Sequence, residues 1–267
     1  MFELVSRAPD PALRPSVRGY HAYSERTAGP MRRREVPSSD VILVLDLGAG
    51  LRLLEPRRAR HTSFVAGLDD RSAVTEHDGE ADGIQVNFTP LGAHRFLGIP
   101  MHTLARRAVE LDDLLGASAR YLPERVHDVI SSAARFDLLD SVIRARLANA
   151  PAPTPEVAWA WRRLVTSAGR VRVGSLAQEL GWSRKRLASR FREQVGLPAK
   201  ACARILRFQR ALRLLERNDG TPWAEIALAC GYFDQAHLNR DFRRLAGSTP
   251  SEFLARRIGD GLGVRPE

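Results

Sequence analysis

The feature that most restricts this chain is an internal repeat in its second half. Leu176-Ala177, Gly181-Trp182-Ser183, Leu187, Phe191 and Gly196 recur as Ile226-Ala227, Gly231-Tyr232, Asp234, Leu238, Phe242 and Gly247, offset by 50 residues before the turn and 51 after it. Each copy predicts a short helix with its apolar pair inward, a tight turn at a glycine that tolerates positive φ, and a second helix. Ser183 and Asp234 stand where that second helix begins, and either side chain accepts from the open N–H groups of a first turn. Leu187 and Phe191, like Leu238 and Phe242, lie four apart, so each pair shares one helical face and holds it against the first helix. Ala177, Gly181, Leu187 and Phe191, with Ala227, Gly231, Leu238 and Phe242, are thus the structural positions of two helix-turn-helix units.

Between the copies, Pro198 to Arg217 carries Ile205, Leu206, Phe208, Ala211, Leu212, Leu214 and Leu215 with arginines interspersed. This predicts one helix of about 20 residues, roughly 30 Å long. Successive major-groove faces on one side of B-DNA lie about 34 Å apart, so such a spacer suits two recognition helices in adjacent grooves. Upstream, Thr154-Pro155-Glu156 reads as a helix start with Thr154 as cap, and Val157, Trp161, Leu164 and Val165 form the apolar face.

Charge follows the repeat. Residues 1–150 hold 20 Lys+Arg against 20 Asp+Glu, and residues 151–267 hold 21 against 11, so the whole formal excess of +10 lies in the repeat-bearing half. A domain-confined excess is the footprint of a polyanion binder. The shift falls at Ala148 to Pro155, ANAPAPTP, whose prolines and small residues predict a linker. A length of 267 residues then suits two domains, 1–150 and 151–267, each with its own core. The longest uncharged stretch, Gly83 to His94, is too short to span a bilayer, and no basic segment followed by an apolar run opens the chain. Cys202 and Cys230 are too few for a disulfide framework and far from any zinc-type cluster, so a cytoplasmic protein is expected.

The run Arg210-Ala211-Leu212-Arg213-Leu214-Leu215, then Ile226-Ala227, Gly231-Tyr232, Asp234, Leu238, Arg240, Phe242-Arg243, then Gly247, Thr249-Pro250 and Phe253, resembles the signature of AraC/XylS-type bacterial transcription regulators over about residues 155–257. The resemblance implies a seven-helix DNA-binding domain fused to a variable sensing or dimerising domain. It implies base-edge contacts from Lys185 and Ser189 in the first unit and from Gln235, Ala236, His237 and Arg240 in the second. Helical projection agrees: opposite Leu187 and Phe191 the face centres on Ser189, with Lys185, Arg186, Arg192 and Glu193 around it. Arg186 joins the expected base readers. The equivalent face of the second unit centres on Arg240, with Ala236, His237, Arg243 and Arg244. Arg240 suits guanine O6/N7, because its planar guanidinium offers two parallel donors. Arg184, Arg192, Arg243 and Arg244 read as phosphate contacts. Ala188 and Ser189 are small, so the first unit is expected to read bases weakly. His237 is also open to a capping or packing role, whereas Trp182, Tyr232, Cys202 and Cys230 read as core residues.

The first half is strand-rich. Val41 to Leu47, Gly48-Ala49-Gly50 and Leu51 to Leu54 predict a hairpin, and Ser63 to Ala66 and Ile84 to Phe88 two further strands. Pro123 to Leu147 predicts two helices broken near Arg135, within a helical segment at about 123–148. The resemblance implies dimerisation through such a pair, and packing on their own sheet is equally open. Of seven histidines, His21, His61, His77, His94, His102 and His127 fall here, but none forms His-x-His or sits with a suitably spaced carboxylate. No metal site and no cofactor are expected.

The fold class expected is therefore α+β: a strand-rich domain followed by an all-α domain with two helix-turn-helix motifs joined by a long helix. The function expected is a non-enzymatic transcription regulator. Its expected partners are double-stranded DNA and RNA polymerase, with a small-molecule effector and a homodimer open. One rival is a DNA-modifying enzyme of the adaptive-response type, which lacks its nucleophilic cysteine here. Another is a DNA-binding module that senses nothing.

Overall fold

The computed structural model describes residues 1–56, 58–217, 219–257 and 264–266, with the backbone alone at 117–120. Ten strands and four helices occupy the first half: β1 (Phe2–Arg7), β2 (Val17–Arg26), β3 (Met31–Glu35), β4 (Val41–Asp46), β5 (Leu51–Glu55), β6 (Ala59–His61), β7 (Phe64–Ala66), β8 (Ala73–His77), β9 (Glu80–Phe88), α1 (Pro90–Leu97), β10 (Ala108–Glu110), α2 (Leu111–Leu115), α3 (Ala117–His127) and α4 (Ser132–Ala148). Seven helices follow: α5 (Pro155–Thr166), α6 (Val173–Glu179), α7 (Arg184–Val195), α8 (Ala199–Arg217), α9 (Trp223–Ala229), α10 (Gln235–Ala246) and α11 (Pro250–Ala255). All these counts are of the described residues, and the order is the α+β arrangement the sequence predicts.

The strands form a six-stranded sheet in the order β1-β2-β9-β4-β7-β10 and a four-stranded sheet in the order β3-β8-β5-β6. Alternation sets the inner face of the larger sheet: Val41, Leu43 and Leu45 of β4 oppose Phe88, Val86 and Ile84 of β9, and all six are buried. Each such burial stabilises by about 1.5–3 kcal/mol. The predicted hairpin over 41–54 does not form. β4 pairs with β9 and β7, while β5 pairs with β6 and β8, so Gly48-Ala49-Gly50 carries the chain from one sheet to the other. Both strands were legible, but the partners of β4 are distant in sequence, and β5 turns instead to its neighbour β6.

The helical break predicted near Arg135 lies at 128–131, and Arg135 sits within α4, whose start is capped by Ser131 accepting from the Ala134 N–H at 3.2 Å. α4 buries Phe136, Leu139, Ile143 and Leu147 within its own chain, and Phe136 stacks on Tyr20 with ring centroids 5.6 Å apart. Asp140 fastens this contact, accepting from Tyr20 Oη at 2.6 Å and pairing with Arg7 at 2.8 Å. Burial, with Asp140 beside it, pushes the Tyr20 phenol up.

Separate cores for the two halves were expected, and the structure corrects this. One contiguous apolar core runs from Leu13 to Leu206, taking in the six-stranded sheet, α4, α5, the first helix-turn-helix and part of α8. A second cluster, Phe208 to Val264, holds the second unit. The predicted linker has no regular structure from 151 to 154, and Thr154 caps α5 by position only. Its hydroxyl instead accepts from Gln194 Nε2 at 2.5 Å, while Gln194 Oε1 accepts the Thr154 N–H at 3.0 Å.

Candidate nucleic-acid interface

The two copies of the repeat close the same turn by the same hydrogen bond. Trp182 N–H donates to Ala177 O at 2.9 Å, and Tyr232 N–H to Ala227 O at 3.0 Å. Gly181 at φ 62° and Gly231 at φ 82° occupy the left-handed region, which a side chain would disfavour. Ser183 Oγ accepts from the Arg186 N–H at 3.1 Å and Asp234 Oδ1 from the His237 N–H at 2.6 Å, so both recognition helices, α7 and α10, carry the predicted caps. Ala177, Leu187, Phe191, Ala227, Leu238 and Phe242 are all buried, at 3% exposure or less. Phe191 meets Trp161 of α5 with centroids 6.3 Å apart, and Phe242 meets Phe208 of α8 at 4.8 Å. The spacer helix is therefore part of the second unit's core as well as a connector.

With the apolar edges turned in, the opposite faces are exposed. On α7 these are Arg184, Lys185, Arg186, Ser189 and Arg192, and on α10 Gln235, Ala236, Arg240, Arg243 and Arg244. Three predicted residues are already engaged. Arg186 lies over the Trp182 ring, 4.4 Å from its centroid, a stacking that orients the guanidinium. His237 is half-buried, meets Tyr232 edge-on at 5.2 Å and accepts the Phe233 N–H on Nδ1 at 3.4 Å. That bond places the neutral ring's proton on Nε2. Arg244 Nη2 comes within 4.0 Å of Asp70, in the strand-rich half.

One exposed residue of the site escaped the sequence reading. Phe233 is 84% exposed and immediately precedes the cap of α10. It is the residue that lengthens the repeat offset from 50 to 51, so the second turn carries an aromatic side chain the first lacks. The inserted position was the signal, but nothing local says which way its ring points.

Both cysteines are buried, and burial pushes the Cys202 thiol well up and raises that of Cys230, the opposite of an activated nucleophile. Among the described residues no group of three or more His, Cys, Asp or Glu is arranged to hold a metal, and no helix is long and apolar enough to cross a membrane.

Two helix-turn-helix units on one spacer helix, behind a strand-rich half, define the class: a double helix-turn-helix chain with an appended amino-terminal fold. Residues 176–256 match the family described as a helix-turn-helix domain, and residues 6–110 match a domain of unknown function, DUF6597. The arabinose operon regulatory proteins of Salmonella typhimurium and Escherichia coli are 32% identical to this chain over 83 residues, which is 31% of this chain and 29% and 28% of those proteins. The chain thus matches under a third of the length of these curated relatives. ToxT from Vibrio cholerae, solved with (E)-4-(8-methylnaphthalen-1-yl)but-3-enoic acid bound, shares the fold at TM-score 0.50 and 12% identity, over 88% of this chain and 98% of that one. The carboxy-terminal part of this protein, residues 176–256, is a helix-turn-helix domain similar to part of the arabinose operon regulatory proteins.

Proposed function

We propose that this protein is a transcription regulator that binds duplex DNA through two recognition helices in adjacent major grooves. The observation that carries this reading is the duplicated unit, each copy capped and packed alike, with polar and cationic faces left exposed on the half of the chain that holds the net charge. Lys185, Arg186 and Ser189 read base edges in one groove, and Gln235, His237 and Arg240 in the next. Arg184, Arg192, Arg243 and Arg244 hold phosphates, which positions the protein without reading sequence. Residues 151–267 form the reading domain and residues 1–150 receive a signal, changing contact with DNA or with RNA polymerase in the cytoplasm. The carboxylic acid bound to ToxT supports a small molecule as that signal. A non-sensing module is the rival, and a homodimer is compatible with either.

The test is an unbiased selection of duplexes by the full chain from a random pool at moderate ionic strength. The expected result is a motif with two half-sites about 10 base pairs apart and a steep loss of affinity with salt. Failure to enrich any motif overturns the reading.

A further inference from the structure

The four-stranded sheet has two different faces. On one, Arg33 and His77 close on Glu25, at 2.6 and 3.0 Å, and all three are buried. On the other, register places Arg32 opposite Glu76, Glu76 opposite Arg52 and Arg52 opposite Arg60, one row across all four strands. This row, with Arg34 and Arg58, lines a cavity of about 730 Å³ walled by Leu53, Leu54, Val74 and Pro266. The volume falls in the range that holds small organic ligands.

The charges in this cavity do not balance. Arg32, Arg34, Arg52, Arg58 and Arg60 face two carboxylates, Glu55 and Glu76, with Asp78 at the margin. Glu76 takes Arg32 at 2.5 Å and Arg52 at 2.8 Å, and these contacts hold its carboxyl below the ordinary range. Arg60 stands directly opposite Arg52, a like-charge juxtaposition in which Arg52 pairs with Glu76 and Asp78 while Arg60 donates to the Ala49 carbonyl. Arg52 Nε is buried without a hydrogen-bond acceptor.

We infer that this cavity is a binding site for a small organic polyanion, one with two or more separated phosphate or carboxylate groups. The row crosses three inter-strand spacings, roughly 14 Å at 4.7–4.9 Å each, a span that favours separated charges over a single small ion. Guanidinium forks match phosphate and carboxylate by paired N–H donors. Arg34 links the site to the second helix-turn-helix. Its guanidinium lies over Gly247, where a Cβ would meet Nη1 at 3.3 Å, and its backbone N–H donates to Val264 O at 2.8 Å. The inference deepens the reading of the first half as the receiver of a signal and rests on it.

The experiment is calorimetric titration of the full chain with inorganic tripolyphosphate and with citrate in 150 mM salt, using inorganic phosphate as the single-ion comparison. Saturable one-to-one binding of either polyanion is expected, weakened about tenfold or more by Arg60→Gln or Arg52→Gln. Arg58→Gln lies outside the row and leaves its pairing intact, so it covers the case in which a row variant fails to fold. No saturable binding, or binding undiminished in a folded variant, overturns the inference. So does a uniform loss of random-DNA affinity in these variants without anion binding, which would make the cavity a DNA-backbone contact. A chain that selects a DNA motif but ignores polyanions sinks this site alone, and one that binds polyanions but no DNA sinks the regulator reading alone.

Discussion

Arg240 is exposed on α10 opposite the buried pair Leu238 and Phe242, so its guanidinium faces away from the core. Arg240→Ala is expected to cost about 1–3 kcal/mol at one base pair and to relax preference there, as read by competition between the selected site and its single-base variants. Equal loss on selected and random DNA would move Arg240 to the phosphate group. Phe233, exposed in the second turn, is suited to a thymine methyl, since Phe makes apolar contact with that group. Phe233→Ala should lower affinity for the selected site, and replacing its thymines by uracil should do the same to the wild type while leaving the variant unchanged. A further drop in the variant would show that the methyl meets something else. Helical projection placed Arg240 on the exposed face of its helix because a face is a property of spacing. It could not find Phe233, because an insertion in a turn has no periodicity.

Helices and turns were the most legible elements, since their period, caps and glycines are all local. Asp234→Ala removes the acceptor of the His237 N–H and should cost about 1 kcal/mol, seen as a lower chemical-denaturation midpoint with unchanged slope. Gly231→Ala should cost more than an exposed helical substitution does, because φ is 82° and a Cβ would meet Arg170 Cγ at 2.9 Å. An unchanged midpoint for both would mean that the second turn is held by packing alone. Strands were legible as segments but not as pairs. Val41 to Asp46 is a clear apolar run, yet its partners lie about 20 and about 40 residues on, and the glycine-bearing segment at 48–50 looks the same whether it reverses a hairpin or crosses between sheets.

At the scale of the whole molecule, Asp70 joins the halves. Buried in the segment between β7 and β8, it accepts from Arg106 Nε at 2.8 Å and from Arg204 of α8 at 2.7 Å, with Arg244 of α10 at 4.0 Å. Burial by itself would raise its carboxyl, but the Arg106 hydrogen bond and the three guanidinium charges outweigh it, so the group titrates below the ordinary carboxylate range. A depressed folded value gives stabilisation that is full above the unfolded value, about 3.9, and is lost as pH falls through the folded value. Asp70→Ala should therefore destabilise by about 3 kcal/mol at pH 7, with the two proteins converging in thermal melts below about pH 4. It should also raise affinity for all DNA sequences alike, because Arg244 is released toward phosphate. Identical melts at pH 7 and unchanged DNA affinity would remove Asp70 as a joint.

By itself the sequence determined the two reading units, their caps, their spacer and the side of each helix that faces out, because helical geometry converts spacing of three and four into a face within a dozen residues. The tertiary structure alone decided that the first unit shares a core with the sheet, that β4 and β5 part company, that Arg244 meets Asp70 and that arginines from three strands line up with a glutamate from a fourth. Those facts depend on which distant segments meet, and contacts closed over long loops leave no period in the chain for a reader to follow.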